Sequence, residues 1–170
     1  MSKADIIIIR GASCTGKSTL ANLIRTNGKG VCIEIDSIRF MINGIDWFNS
    51  LDYENAIDIT LKLSFNFLER GYSPIYILDT LPDIKLNYVI SHINKNLSTI
   101  IYSLFIDECE LLNRLIKRKG TKLTEMDIRV SQKQNQDIMN KQFSASSSHH
   151  FIDTTNLQPI DLLKKICTDE

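Results

Sequence analysis

Lys17 and Ser18 close the stretch Gly11-Ala12-Ser13-Cys14-Thr15-Gly16-Lys17-Ser18-Thr19, which follows four consecutive isoleucines and Arg10. This pattern, G-x-x-x-x-G-K-S, has the parts needed to hold a chain of phosphates. A turn whose backbone N–H groups all point inward can surround phosphate oxygens, and bare glycines at its tightest points let the backbone approach. Lys17 then reaches the β- and γ-phosphates as a point charge, and the Ser18 hydroxyl ligates a bridging Mg²⁺. The flanks supply the context that the motif requires. Residues 6–9 read as a β-branched strand buried on both faces, and residues 19–25 place apolar side chains at helical spacing before Asn27 and Gly28 end the helix. Residues 11–19 as a whole are therefore expected to bind nucleotide phosphates, with the positive end of the helix adding to the field.

Acidic residues follow the apolar runs. Residues 31–35, 75–78, 99–106 and 150–152 read as four further strands, and Asp36, Asp79, Asp107 and Asp153 come directly after them. In an open α/β sheet, ligands sit beyond the carboxyl ends of the strands, so these acids are placed to do chemistry. Asp36 is expected to orient an acceptor hydroxyl and take its proton. Arg39, one helical turn further on, can pair with Asp36 or hold an anion on the acceptor. Asp79 is expected to contact Mg²⁺, directly or through water, and to border the acceptor.

Helical spacing then marks residues 52–70, with Tyr53, Ile57, Leu61, Phe65 and Leu68 on one stripe, and residues 109–119 and 159–166. Arg114 and Arg118, four apart, can share one helix face, with one guanidinium over a purine ring and the next at phosphate. Residues 120–125 read as a mobile lid, with Arg129 on the following helix able to fold in over the transferred group. Strands alternating with helices of this length imply parallel crossovers. The expected fold is a three-layer α/β/α sandwich, its sheet parallel and mostly five-stranded, with a short helical lid over about 119–130 and one domain over 1–170.

Composition narrows the partners. The chain has 170 residues and a formal net charge of zero, and no polybasic block advertises a membrane surface or long nucleic acid. Cys14, Cys32, Cys109 and Cys167 lack the spacing of a zinc or redox site, which suits a reducing cytoplasm. His92, His149 and His150 have no acid or nucleophile at a telling spacing.

These motifs together resemble the P-loop kinases, in particular the compact group of nucleotide kinases, chloramphenicol phosphotransferase, zeta toxins and the kinase module of phage polynucleotide 5′-hydroxyl kinase. The resemblance implies the P-loop NTPase fold over nearly the whole chain, with ATP (GTP as the alternative) and Mg²⁺ held by Lys17 and Ser18 and Asp36 as general base. The Asp36-x-x-Arg39 spacing is similar to the acceptor motif of polynucleotide kinases, and residues 117–122 are similar to their lid. Arg114 and Arg118 resemble the pair in which the first arginine stacks on adenine and the second contacts phosphate. Residues 153–156, with Asp153 and Thr155, resemble the turn that packs against adenine. Residues 40–53 would set acceptor identity, with Trp47 either stacking on the acceptor or belonging to the core. The implied activity is phosphoryl transfer to a hydroxyl or phosphate of a small molecule or nucleotide. A polynucleotide 5′-hydroxyl is the runner-up, and a regulatory ATPase or switch is the reading of another class.

Overall fold

In the computed structural model, residues 4–42, 46, 49–142, 146 and 148–168 are described; Trp47 lies outside them. Five strands, β1 (Ile6–Gly11), β2 (Val31–Glu34), β3 (Ile75–Asp79), β4 (Thr99–Phe105) and β5 (His149–Asp153), form one sheet in the order β2-β3-β1-β4-β5. Every neighbouring pair is parallel. The helices are α1 (Lys17–Asn27), α2 (Ile35–Phe40), α3 (Ser50–Glu69), α4 (Asp83–His92), α5 (Glu108–Lys119), α6 (Glu125–Met139) and α7 (Pro159–Thr168), with a 3₁₀ turn at Gly120–Lys122.

The isoleucine run explains why β1 is central. Side chains alternate across a strand, so a strand covered on both faces must be apolar at every position. Ile6 and Ile8 pack with Ile57 and Leu61 of α3 and with Leu86 and Val89 of α4. Ile7 and Ile9 pack on the other face with Leu20 and Ile24 of α1 and with Leu162 and Ile166 of α7. All four isoleucines are essentially inaccessible to solvent, and each such side chain contributes about 1.5–3 kcal/mol by leaving water. The phosphate loop therefore hangs from the most firmly held strand of the sheet.

Three elements differ from the sequence reading. Residue 35, read as strand, begins α2, which follows β2 with no loop and puts Asp36 in its first turn. Helix α4 gave no clear periodicity because Ile84 and Ile90 lie on its exposed side, 77% and 41% accessible, and blur the apolar stripe made by Leu86 and Val89. The helix read over 52–70 starts at Ser50, where the Asn49 side chain accepts from the Leu51 N–H at 2.9 Å and caps it. No helix among the described residues is long and apolar enough to cross a membrane.

Candidate active site

The loop between β1 and α1 is wound tightly enough to require its glycines. A Cβ on Gly11 would lie 2.6 Å from Thr15 Oγ1 and 2.8 Å from the Leu104 carbonyl oxygen. Gly16 caps α1 at φ 98°, a left-handed conformation that L side chains disfavour. Cys14, a small side chain, takes φ 64°, so the loop stores some backbone strain beside its glycines. Thr15 Oγ1 donates to the Ala12 carbonyl at 2.9 Å and closes the turn. The Lys17 ammonium donates to the Gly11 and Ala12 carbonyls at 2.7 and 2.8 Å, which holds it inside the loop.

Burial pushes the Lys17 pKa down to about 8, and Arg118 adds to the shift, while Asp79 and Asp36 oppose it. A polyphosphate in the loop would give the buried Lys17 ammonium a negative partner. The loop, its glycines and this lysine fit a nucleotide triphosphate with Mg²⁺, and Ser18 and Asp79 are the groups that would hold the metal.

Two cavities meet at Lys17, Ser18 and Arg118. The larger, about 850 Å³, runs from the loop along α5 to the β5–α7 turn. Its α5 wall is Glu110, Asn113, Arg114, Lys117 and Arg118, and its far wall is Leu157, Gln158 and Pro159. The smaller, about 110 Å³, is lined by Ser13, Glu34, Asp36, Leu78, Asp79 and Thr80 in addition to the shared residues. Among the described residues Arg118 makes no ion pair, and it lines both cavities.

The structure thus brings together residues 11–19 with Asp36, Asp79, Arg114 and Arg118. Asp36 lies 3.5 Å from an Arg39 nitrogen, and the Arg39 guanidinium sits 4.9 Å above the Tyr53 ring. The Tyr53 hydroxyl donates to Asp79 Oδ2 at 2.8 Å, and the Thr80 N–H donates to Asp79 Oδ1 at 2.6 Å. Burial, then the nearby Asp36 charge, raises the Asp79 pKa, while the Thr80 and Tyr53 hydrogen bonds lower it in part. Burial and the Asp79 charge hold the Tyr53 phenol protonated.

Arg114 is a strut as well as a wall. Its guanidinium donates to the Thr154 and Thr155 carbonyls at 3.2 and 2.9 Å and to the Cys14 carbonyl at 3.5 Å, while Glu110 accepts at 2.7 Å. It thereby ties the phosphate loop to the β5–α7 turn. Asp153 and Thr155 build that turn, since Asp153 Oδ1 accepts from the Thr155 N–H at 2.8 Å and Thr155 Oγ1 accepts from the Asp107 N–H at 2.8 Å. Neither lines the groove; Leu157, Gln158 and Pro159 just beyond them do. Arg129 lies away from both cavities on α6, 78% exposed and paired with Glu125 at 3.5 Å.

Sequence reasoning passed over Tyr53 as a site residue, because it lay on an apolar stripe. It passed over Glu110, Asn113 and Lys117 although their spacing with Arg114 and Arg118 makes a single 3–4 stripe on α5, a signal that could have found them. Arg10 was passed over as well. It is buried at the end of β1, where it donates to Ser103 Oγ at 2.7 Å and the Leu81 carbonyl at 3.2 Å and pairs with Asp83 at 2.7 Å. Asp83 also pairs with Lys141, and Ser103 Oγ shares a 2.8 Å hydrogen bond with His149 Nε2. Burial, then the Arg10 charge, pushes the His149 pKa down to about 4. Arg10 thus braces the strand that carries the phosphate loop against the turn that follows Asp79.

A parallel sheet in this order, with a glycine-bounded loop between β1 and α1, is the P-loop NTPase fold. Solved proteins share it. A sugar kinase from a Janibacter species superposes with a TM-score of 0.66 at 17% identity, over 97% of this chain and 93% of that one. A gluconokinase from Sinorhizobium meliloti gives 0.66 at 15% identity, over 99% and 93%. A chain of the Pnkp1/Rnl/Hen1 RNA repair complex gives 0.65 at 17% identity, over 86% of this chain and 47% of that one. No protein-family model and no curated protein sequence matches the chain.

Proposed function

We propose that this chain is an ATP-dependent kinase that moves the γ-phosphoryl group to a hydroxyl or phosphate of a small-molecule or nucleotide acceptor, acting as one domain. The observation that carries the reading is the meeting of Lys17, Ser18, Asp36, Asp79 and Arg118 around one 110 Å³ cavity that shares three residues with the larger groove. The groove suits a nucleoside, with Arg114 and the 157–159 turn as its walls. The small cavity suits the reacting centre. The likeness to a sugar kinase and a gluconokinase supports the same reaction class.

Phosphoryl transfer asks little covalent chemistry of a protein, so catalysis is mostly positioning and charge neutralisation. The loop amides and Lys17 would hold the β- and γ-phosphates, and Arg118 would meet the charge that develops on the transferred group. Magnesium, held by Ser18 and Asp79, would neutralise the phosphate oxygens. Asp36 aligns the attacking hydroxyl and accepts its proton, with Arg39 fixing the carboxylate in place. Tyr53 and the Thr80 N–H fix Asp79. The segment over 119–130 would close over the site and exclude water.

The test is transfer of labelled γ-phosphate with Mg²⁺ and ATP to a panel of sugars, nucleosides, nucleotides, aminoglycoside and phenicol antibiotics and 5′-hydroxyl oligonucleotides, with Asp36→Asn as control. Label on one acceptor class that vanishes in the control supports the reading. Phosphate release alone, equal in the control, moves the switch reading ahead. The Asp36–Arg39 pair, similar to the polynucleotide-kinase acceptor motif, and the likeness to a chain of an RNA repair complex favour the oligonucleotide arm as the second reading.

A further inference from the structure

We infer that the acceptor is a hydroxyl compound carrying no phosphate of its own, neutral or amine-bearing. This rests on the kinase reading and narrows it by the distribution of charge around the small cavity.

The cations at the cavity face the donor. Lys17 and Arg118 line both cavities, beside the loop amides and the positive end of α1. A triphosphate carries enough negative charge to occupy all of them. The remaining lining, Ser13, Glu34, Asp36, Leu78, Asp79 and Thr80, holds three carboxylates and no cation, with Glu34 paired from outside the lining to Arg25 at 2.8 Å and Asp36 to Arg39 at 3.5 Å.

Basic side chains outside the lining are already engaged, Arg25 with Glu34 among them. Arg39 is 7% exposed, with its guanidinium against Asp36 and over the Tyr53 ring. Lys85 pairs with Glu54 at 2.5 Å and lies 5.5 Å from the same ring. From α6, Arg129 pairs with Glu125 in the first turn, and Lys119 at the end of α5 is held by Asp127 at 2.6 Å.

The sequence carries the same sign outward. Between Arg39 and Lys62 there is no lysine or arginine, while Asp46, Asp52, Glu54 and Asp58 all lie in that interval. Residues 40–53 are the part expected to shape the acceptor pocket. A phosphorylated acceptor would bring two negative charges toward this wall with no bidentate arginine to receive them, and like charges in a partly desolvated site repel strongly. A hydroxyl compound finds what it needs. Asp36 accepts its proton and Thr80 offers a further polar partner. An ammonium group on the acceptor would gain from the carboxylates instead of suffering from them.

Matched acceptor pairs test this with the full chain, ATP and Mg²⁺: a hexose and its 6-phosphate, a nucleoside and its 5′-monophosphate, an amino sugar and its N-acetyl form, and a 5′-hydroxyl oligonucleotide. The expected result is label on unphosphorylated members, with kcat/KM at least about tenfold above the phosphorylated partner. That gap should narrow as salt rises from about 0.05 to about 0.5 M, because screening weakens repulsion. Asp52→Lys, outside the cavity lining, should narrow it too. Preference for phosphorylated members, or for the oligonucleotide, overturns the inference and leaves the kinase reading standing. No label on any member, with ATP hydrolysis unchanged in Asp36→Asn, overturns both.

Discussion

The donor side and the acceptor side of the site are built from different materials. Where the proposed function places the nucleotide phosphates, the chain offers backbone amides, a helix end, Lys17 and Arg118, all positive, on a loop whose shape depends on Gly11 and Gly16. Around the proposed acceptor it offers side chains from two strand ends, Glu34 and Asp36 at the end of β2 and Asp79 and Thr80 at the end of β3, the three acids held by Arg25, Arg39 and Tyr53 respectively. On the proposed reading the first side would recognise a geometry common to every nucleoside triphosphate, and a backbone cradle can persist while most side chains change. The second would set the acceptor through side chains that depend on their neighbours. Binding on one side and specificity on the other should therefore be separable by mutation.

The largest effect should come from Lys17→Ala, which removes charge from the reacting phosphates; transfer should fall by roughly 10²–10³-fold. ATP affinity should fall with it, and calorimetry beside a transfer assay reads both. Arg10→Met acts on neither pocket directly but removes the brace between the loop strand and the turn after Asp79. It should cost about 2 kcal/mol in urea unfolding, because Ser103 loses a partner and Asp83 keeps only Lys141. Tyr53→Phe keeps the ring beneath Arg39 and removes the hydroxyl that donates to Asp79. A fall in kcat of about tenfold with unchanged ATP affinity would place its effect on the acceptor side.

The smallest effect is one of pH. The Lys17 pKa is lowered to about 8 in the free protein, and bound phosphates raise it, so binding takes up a proton above that pH. ATP affinity should be flat to pH 7.5 and about fourfold weaker at pH 8.5 than at pH 7, a loss that Lys17→Ala abolishes. Stability follows a separate group. His149 is lowered to about 4, below its unfolded value near 6.5, so the unfolded chain takes the proton first. Stability should fall as pH drops from 6.5 toward 4, and His149→Gln should flatten that slope.

The donor loop was legible because its chemistry lies within nine consecutive residues, and the sheet followed from apolar runs spaced by helices. Asp36 and Asp79 were legible as acids after strands. What joins them was not. Tyr53 reaches Asp79 from 26 residues away, and Arg10 reaches Ser103 from 93 residues away. Such contacts exist only once the register aligns Arg10 with both Asp79 and Ser103. Spacing along one helix indicated that Arg114 and Arg118 share a face, but not that Arg114 would be tied to carbonyls of two separate loops. Likewise the turn at 153–156 was found, yet the residues that line the groove come just after it.

The division between the two sides is tested most directly by Asp36→Asn, measured for ATP affinity by calorimetry and for γ-phosphoryl transfer in the same preparation. The geometry predicts ATP affinity within about twofold of the parent, since Asp36 lines only the small cavity, and transfer reduced by about 10²-fold or more. Transfer that survives the substitution, or affinity that falls in step with it, would contradict the account.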